Sequence, residues 1–179
     1  MFPTTASLNV PGKLFANPSN LVSPPFGGTA LGLVRALRLL PGKRRRVITA
    51  EEHGHELSEV IENGELVVAT FITVGIDNDM AEQLFPNTAV GGSGNRVISY
   101  PPANVGTKGS DRSVVILFAP RNLIDHPAWI LYSAIPMLEE TAEFQANLDE
   151  EGAWAGIFYG ARDSSDRIYT QGKIGDLTL

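Results

Sequence analysis

The sequence predicts a mainly β protein, a β-sandwich or barrel with one short helix and an extended N-terminal arm. Three observations carry that expectation. Apolar runs such as VVATFITV at 67–74 and VVILFA at 114–119 are short, recur along the chain and are rich in β-branched residues. Eighteen glycines and twelve prolines make up thirty of the 179 residues, above the roughly 12% of average usage, which favours many turns over long helices. Asn63-Gly64 stands between two apolar segments, and its readiness for positive φ at both central positions marks a hairpin turn. With 43% apolar and 19% charged residues the chain has the balance of a folding globule, and its length suits one domain.

Residues 1–29 hold five prolines, each removing a backbone donor and pushing its predecessor out of helical space. This predicts an extended, Pro-rich arm ahead of a single domain over 30–179. Its apolar residues, Phe2, Leu14, Phe15 and Phe26 among them, suit anchors laid along a neighbouring surface better than a bare linker does. LGLVRALRLL and KRRRVITA then read as two strands joined at Pro41-Gly42. A helix over 29–40 competes, because Leu33, Leu37 and Leu40 also fall at helical spacing. Residues 55–62 and 65–75 form the predicted Asn-Gly hairpin, its second strand apolar on both faces as in a strand packed on each side. Asp77 caps a short helix over 78–85 that stops at Pro86.

Residues 87–111 form a long Gly/Pro-rich loop containing one short strand at Arg96–Tyr100. RSVVILFAP, AWILYSAIP and WAGIFYGARD give three further strands. A fourth spans Leu138–Leu148, where Ala142, Phe144, Ala146 and Leu148 alternate with polar residues. The polar, glycine-containing tail after residue 163 is expected to trail off.

Composition excludes several function classes. A net charge of −6 is wrong for a globally basic nucleic-acid binder. The absence of cysteine removes disulfides, thiolate nucleophiles and thiolate metal sites. No apolar run approaches the roughly 18–20 residues of a membrane span, and the N-terminus lacks the pattern of a secretory signal. Glu51, His53 and His55 alternate on one prospective strand face and could ligate a metal, but Gly54 interrupts them and His126 is remote. GGSGN at 91–95 has Asn95 where a nucleophile elbow needs glycine. Asp163 and Asp166 read as turn residues, with nothing to shift their ionisation. No catalytic set, metal site or cofactor is therefore expected.

Charge patterning is more informative. Lys43, Arg44, Arg45 and Arg46 form a basic patch suited to a subunit contact or to proximity to DNA. Glu139, Glu140, Glu143, Asp149, Glu150 and Glu151 form an acidic counterpart that can receive the basic tip of another copy. Opposite patches on different parts of one chain favour head-to-tail association, which closes into rings or extends into tubes.

The order VITAEEHGHELSEVIENGELVVATFIT, a short helix ending in LFP, a Gly-rich loop, RSVVILFAP, AWILYSAIP, TAEFQANL and WAGIFYGARD resembles the tail tube proteins of long-tailed bacteriophages, over roughly residues 30–175. The resemblance implies a non-catalytic virion protein of the tail, assembled in the host cytoplasm. Its subunits would form hexameric rings that stack into a conduit for double-stranded DNA and meet other tail or neck proteins. Neck, tail-terminator and contractile secretion rings share that architecture. In this picture an acidic wall repels passing phosphates, and the arm locks onto a neighbour, so its removal should weaken assembly and spare the subunit fold. A small-ligand or metal-binding β-barrel using His53, His55 and the 87–111 loop is the alternative.

Overall fold

A computed structural model describes residues 6–8, 11–50, 56–74, 82–83, 89–93, 97–99, 106, 108–137 and 153–179. Its strands are β1 (Ala6–Leu8), β2 (Gly12–Ala16), β3 (Thr29–Ala50), β4 (Glu56–Val74), β5 (Ala89–Gly91), β6 (Val97–Ser99), β7 (Val114–Pro120), β8 (Ala128–Met137), β9 (Ala153–Ala161) and β10 (Tyr169–Gly172). The protein is mainly β, as the sequence predicts.

All pairings in the main sheet are antiparallel, and the path β3–β2–β7–β8–β9–β4 returns to β3. Six strands thus close a barrel, which removes sheet edges over the region where the circuit is complete. Two short strands extend it. β1 lies beside β3 at Leu37–Leu39, and β10 pairs with β8 at Ala128–Leu131. β5 and β6 pair antiparallel as a separate two-stranded sheet.

Alternation along the strands fills the barrel. Leu14, Leu37, Leu39, Phe71, Ile116, Phe118, Trp129, Leu131 and Phe158 point inward and leave a void of only about 10 Å³ between them. That is at most the space of one water molecule, so among the described residues the barrel interior is a packed core. Phe71 stacks on Phe158 with centroids 5.1 Å apart. Their fit requires Gly156, which pairs with Phe71 and where a Cβ would collide with its ring.

A second core lies on the opposite face of β7 and β8. Leu117, Ala119, Ala128, Ile130 and Tyr132 are covered there by Leu21 and Phe26 from the loop after β2 and by Leu177 from the C-terminal tail. Gly175 N–H donates to Leu21 C=O at 2.9 Å, tying loop and tail together over this wall. Burial on both faces explains why VVILFA and AWIL are continuously apolar.

Several expectations are corrected. Residues 12–16 of the predicted arm are extended, but they form a strand inside the chain's own barrel, between β3 and β7. Leu14 and Phe26 are buried and Phe15 packs against the second core, so these anchors serve the subunit itself; Phe2 lies outside the described residues. No turn forms at Pro41-Gly42 and no helix over 29–40, because β3 runs straight through both. Asn63-Gly64 is not a hairpin turn either. β4 continues through it, with Arg44 opposite Gly64 and Arg45 opposite Glu62, so Asn63 is the extra residue of a β-bulge. Gly64 takes φ 141°, a region that favours glycine.

The tail does not trail off but contributes β10 and Leu177 to the fold. Of the predicted helix 78–85, only Glu82 and Gln83 are among the described residues, and both are helical. The predicted strand 138–148 lies outside the described residues.

A projecting ribbon as candidate subunit interface

β3 and β4 pair with each other from Leu33↔Val74 to Ala50↔Glu56, much further than the barrel needs. β9 accompanies β4 only over Val67–Val74, and β1 accompanies β3 only at Leu37–Leu39. Beyond those points, Leu40–Ala50 and Glu56–Leu66 form a two-stranded ribbon whose outer edges have no strand partner among the described residues. At 3.2–3.4 Å per residue it reaches roughly 35 Å from the barrel. A two-stranded hairpin in water is marginally stable at best, and unpaired edges are templates for further strands.

The two faces of the ribbon differ. On one, Lys43 lies opposite Glu65, its Nζ reaches Glu62 Oε2 at 3.3 Å, and Val60 is 42% exposed. On the other, Leu40 and Ile61 are 42% and 41% exposed, with Arg46 opposite Ile61. This second face continues along the outer wall of the barrel, where Leu33 and Ile72 are also exposed. A shallow groove of about 380 Å³ runs there over Arg38, Thr70, Ile72 and Ile157. In the β4 segment VVATFITV, Val67, Ala69, Phe71 and Thr73 are buried, whereas Val68 and Thr70 are half-buried and Ile72 exposed, so among the described residues only one face is fully covered where the composition predicts two.

The structure thus places Lys43, Arg44, Arg45 and Arg46 along one ribbon strand; their register is clear, while the side chains of Arg44 and Arg45 lie outside the described set. Glu51, His53 and His55, in the connection at the ribbon's tip, are outside the described residues. So are Glu139, Glu140, Glu143, Asp149, Glu150 and Glu151. The flanks of that acidic segment are among the described residues. Met137 ends β8 opposite Ile157, and Ala153 begins β9 opposite Val74. Ala153 lies at the end of the barrel where β4 finishes, the end opposite the ribbon, and Met137 lies at the height of Thr70, midway along it.

A second apolar surface lies where β2 meets the end of β7. A groove of about 800 Å³ is lined there by Phe15, Pro25, Phe26, Leu33 and Leu123, with Lys13 and Arg121 also on its walls.

Asp163 and Asp166 act in the β9–β10 turn, as expected of turn residues, but Asp163 does more than the sequence suggests. Its Oδ1 accepts from Ser165 N–H at 2.9 Å and Arg167 N–H at 2.7 Å, and its Oδ2 from Arg167 Nε at 2.9 Å. Burial works to raise its pKa, yet the hydrogen bonds from the Arg167 backbone and side chain and from Ser165, with the Arg167 charge, hold it below the usual carboxylate range. The Arg167 guanidinium lies 3.9 Å from the Tyr132 ring centroid, and Tyr132 Oη bonds Thr170 Oγ1 at 3.0 Å. This cluster clamps β10 onto β8.

Among the described residues no helix is long and apolar enough to cross a membrane. Comparison with models of known protein families finds no match, and comparison with curated proteins finds none.

Proposed function

We infer that the protein is a non-catalytic, ring-forming subunit of a virion tail tube, whose rings stack into a conduit for double-stranded DNA. The observation that carries this reading is the projecting ribbon: a bulged two-stranded extension, apolar and charged, with both long edges open among the described residues. Among the described residues this element has no third strand or covering layer of the kind that independent stability needs, and a neighbouring copy supplies both. The packed barrel interior fits a building block better than a ligand-carrying barrel. Net charge of −6 fits a conduit from which phosphates are repelled. The order of elements that resembles tail tube proteins supplies the six-fold ring and the virion location.

Electron microscopy of the purified protein at high concentration is expected to show rings or short tubes with a central hole. Light scattering that finds a strict monomer over the same concentrations would overturn the reading.

A further inference from the structure

The ring-subunit reading leaves open which surfaces of two copies meet. We propose that the ribbons of neighbouring copies join edge to edge in one polarity, the acidic β4 strand of one copy beside the basic β3 strand of the next. The inference rests on the ring-subunit reading and adds polarity and chemistry to it.

The first observation is how charge is divided between the two ribbon strands. Residues 40–50 of β3 carry Lys43, Arg44, Arg45 and Arg46 and no acidic residue, whereas residues 56–66 of β4 carry Glu56, Glu59, Glu62 and Glu65 and no basic one. The ribbon is neutral as a whole, yet each of its strands has a single sign. Within one ribbon the two signs already attract, since Lys43 lies opposite Glu65 and its Nζ is 3.3 Å from Glu62 Oε2.

The second is the state of the edges. Among the described residues neither ribbon strand has a strand partner on its outer side, so each edge offers a row of backbone donors and acceptors. Pro41 stands at the base of the ribbon, and every residue from Gly42 to Ala50 has an N–H.

The third is how the faces match. Lys43, Val60, Glu62 and Glu65 share one face of the ribbon, and Leu40, Arg46, Ile48, Glu59 and Ile61 share the other. When two ribbons lie side by side and point the same way, β4 of one runs antiparallel to β3 of the next, as do all neighbours in the main sheet, and like faces abut. Glu62 and Glu65 then come beside Lys43 of the second copy on one face. On the other, Glu59 and Ile61 come beside Leu40, Arg46 and Ile48 of the second copy. Opposite charges meet on both faces, and apolar groups meet on the face where they are exposed.

Two-fold junctions fare worse, because β3 on β3 or β4 on β4 sets four like charges against four. Charge therefore selects the heterologous junction, which repeats from copy to copy instead of ending at two. Lysines on a strand edge also guard against indiscriminate strand addition. Here the guard admits one partner, the acidic edge of another ribbon.

Reciprocal exchange of the charges tests the polarity. A variant carrying Lys43→Glu, Arg44→Glu, Arg45→Glu and Arg46→Glu together with Glu56→Lys, Glu59→Lys, Glu62→Lys and Glu65→Lys keeps opposite signs within its own ribbon and the net charge of −6. Circular dichroism verifies its β fold. Parent and variant, labelled with different fluorophores, are mixed as dissociated subunits and followed by two-colour sedimentation velocity. Each alone should associate as the other does. Together they should sort into separate assemblies, with mixed contacts roughly tenfold or more below the random proportion, because a parent β4 edge and a variant β3 edge are both acidic. Sorting should fade as salt is raised.

Random mixing overturns the proposal, and so does a variant that folds yet stays monomeric. Preferred mixing overturns it in favour of a two-fold junction. Should the full exchange fail to fold, Lys43→Glu with Glu62→Lys preserves that ion pair within the ribbon and enters the same assay, where sorting of roughly threefold is expected and random mixing again overturns the proposal. Rings seen by microscopy alongside random mixing would leave the ring-subunit reading standing. A parent chain that is monomeric throughout would remove both.

Discussion

Two walls of the same barrel carry apolar runs of similar strength and put them to different use. In β7 and β8 both faces are buried: Ile116, Phe118 and Trp129 fill the barrel, while Leu117, Ile130 and Tyr132 are roofed by the loop after β2 and by the tail. In β3 and β4 only the inward face is covered, and Leu33, Leu40, Ile61 and Ile72 remain exposed on the other strand positions. Among the described residues the covering segments lie on one wall and leave the other largely bare. Hydrophobicity of a strand reports that something covers it; whether that cover is the same chain or another follows only from where the loops go.

The largest expected effect separates the covering segments from an accessory arm. Deletion of residues 2–28 removes β2, opens the barrel between β3 and β7, and strips the second core of Leu21 and Phe26. Burial of a large apolar side chain contributes about 1.5–3 kcal/mol, and losing Leu14, Leu21 and Phe26 together approaches the whole stability of a typical domain, about 5–15 kcal/mol. The deletion should abolish the cooperative thermal transition seen by circular dichroism. A truncated chain that still melts cooperatively near the parent temperature would restore the picture of a separate arm.

Next in size is the contrast between the walls. Phe118→Ala, at a position 2% exposed, should cost about 3–5 kcal/mol in urea denaturation. Ile72→Ala, on the bare wall at 39% exposure, should cost about 1 kcal/mol or less in the isolated subunit. In the assembled state Ile72→Ala should instead weaken self-association, measured by sedimentation. Equal costs in the isolated subunit would mean that the outer face of β4 is covered within the chain after all.

The same contrast explains what was legible in the sequence. β7, β8 and β9 were readable because burial makes them continuously apolar over the length of a strand. Residues 12–16 were obscured by their prolines, yet Pro11 and Pro18 bound a strand rather than prevent one. The alternation of Leu14 and Ala16 with Lys13 and Phe15 was the available signal.

The length of the ribbon was hidden by two punctuation marks that an open-edged ribbon tolerates. Pro41 lacks an N–H, which is harmless where one edge of the strand faces no partner. Asn63-Gly64 offers positive φ, which serves a bulge as well as a turn, and only the pairing register tells the two apart. Of the candidate interface, the basic run was visible as composition. Its position on a projecting ribbon was not, because that depends on which strand ends outrun their barrel neighbours.

The smallest expected effects compare one ion pair from each region. Lys43 and Glu62 on the ribbon are about half exposed, at 50% and 54%, so Lys43→Ala should change subunit stability by less than about 1 kcal/mol and lose even that at high salt. Asp163 in the clamp on β8 is only 13% exposed and accepts backbone hydrogen bonds as well as the Arg167 guanidinium. Its carboxyl has a folded-state pKa below the unfolded one, so the carboxylate stabilises the fold fully above the unfolded value near 3.9 and loses that contribution as pH falls through the lower folded value. Asp163→Asn should therefore lower the melting temperature at neutral pH, and the gap to the parent should narrow as pH drops below roughly 4. Thermal melts of both variants between neutral and acidic pH test this. A gap for Asp163→Asn that is no larger than that for Lys43→Ala, or that stays constant with pH, would show that the clamp on β8 is as solvent-weakened as the ribbon pair, and the contrast between the covered and bare walls would not extend to their charges.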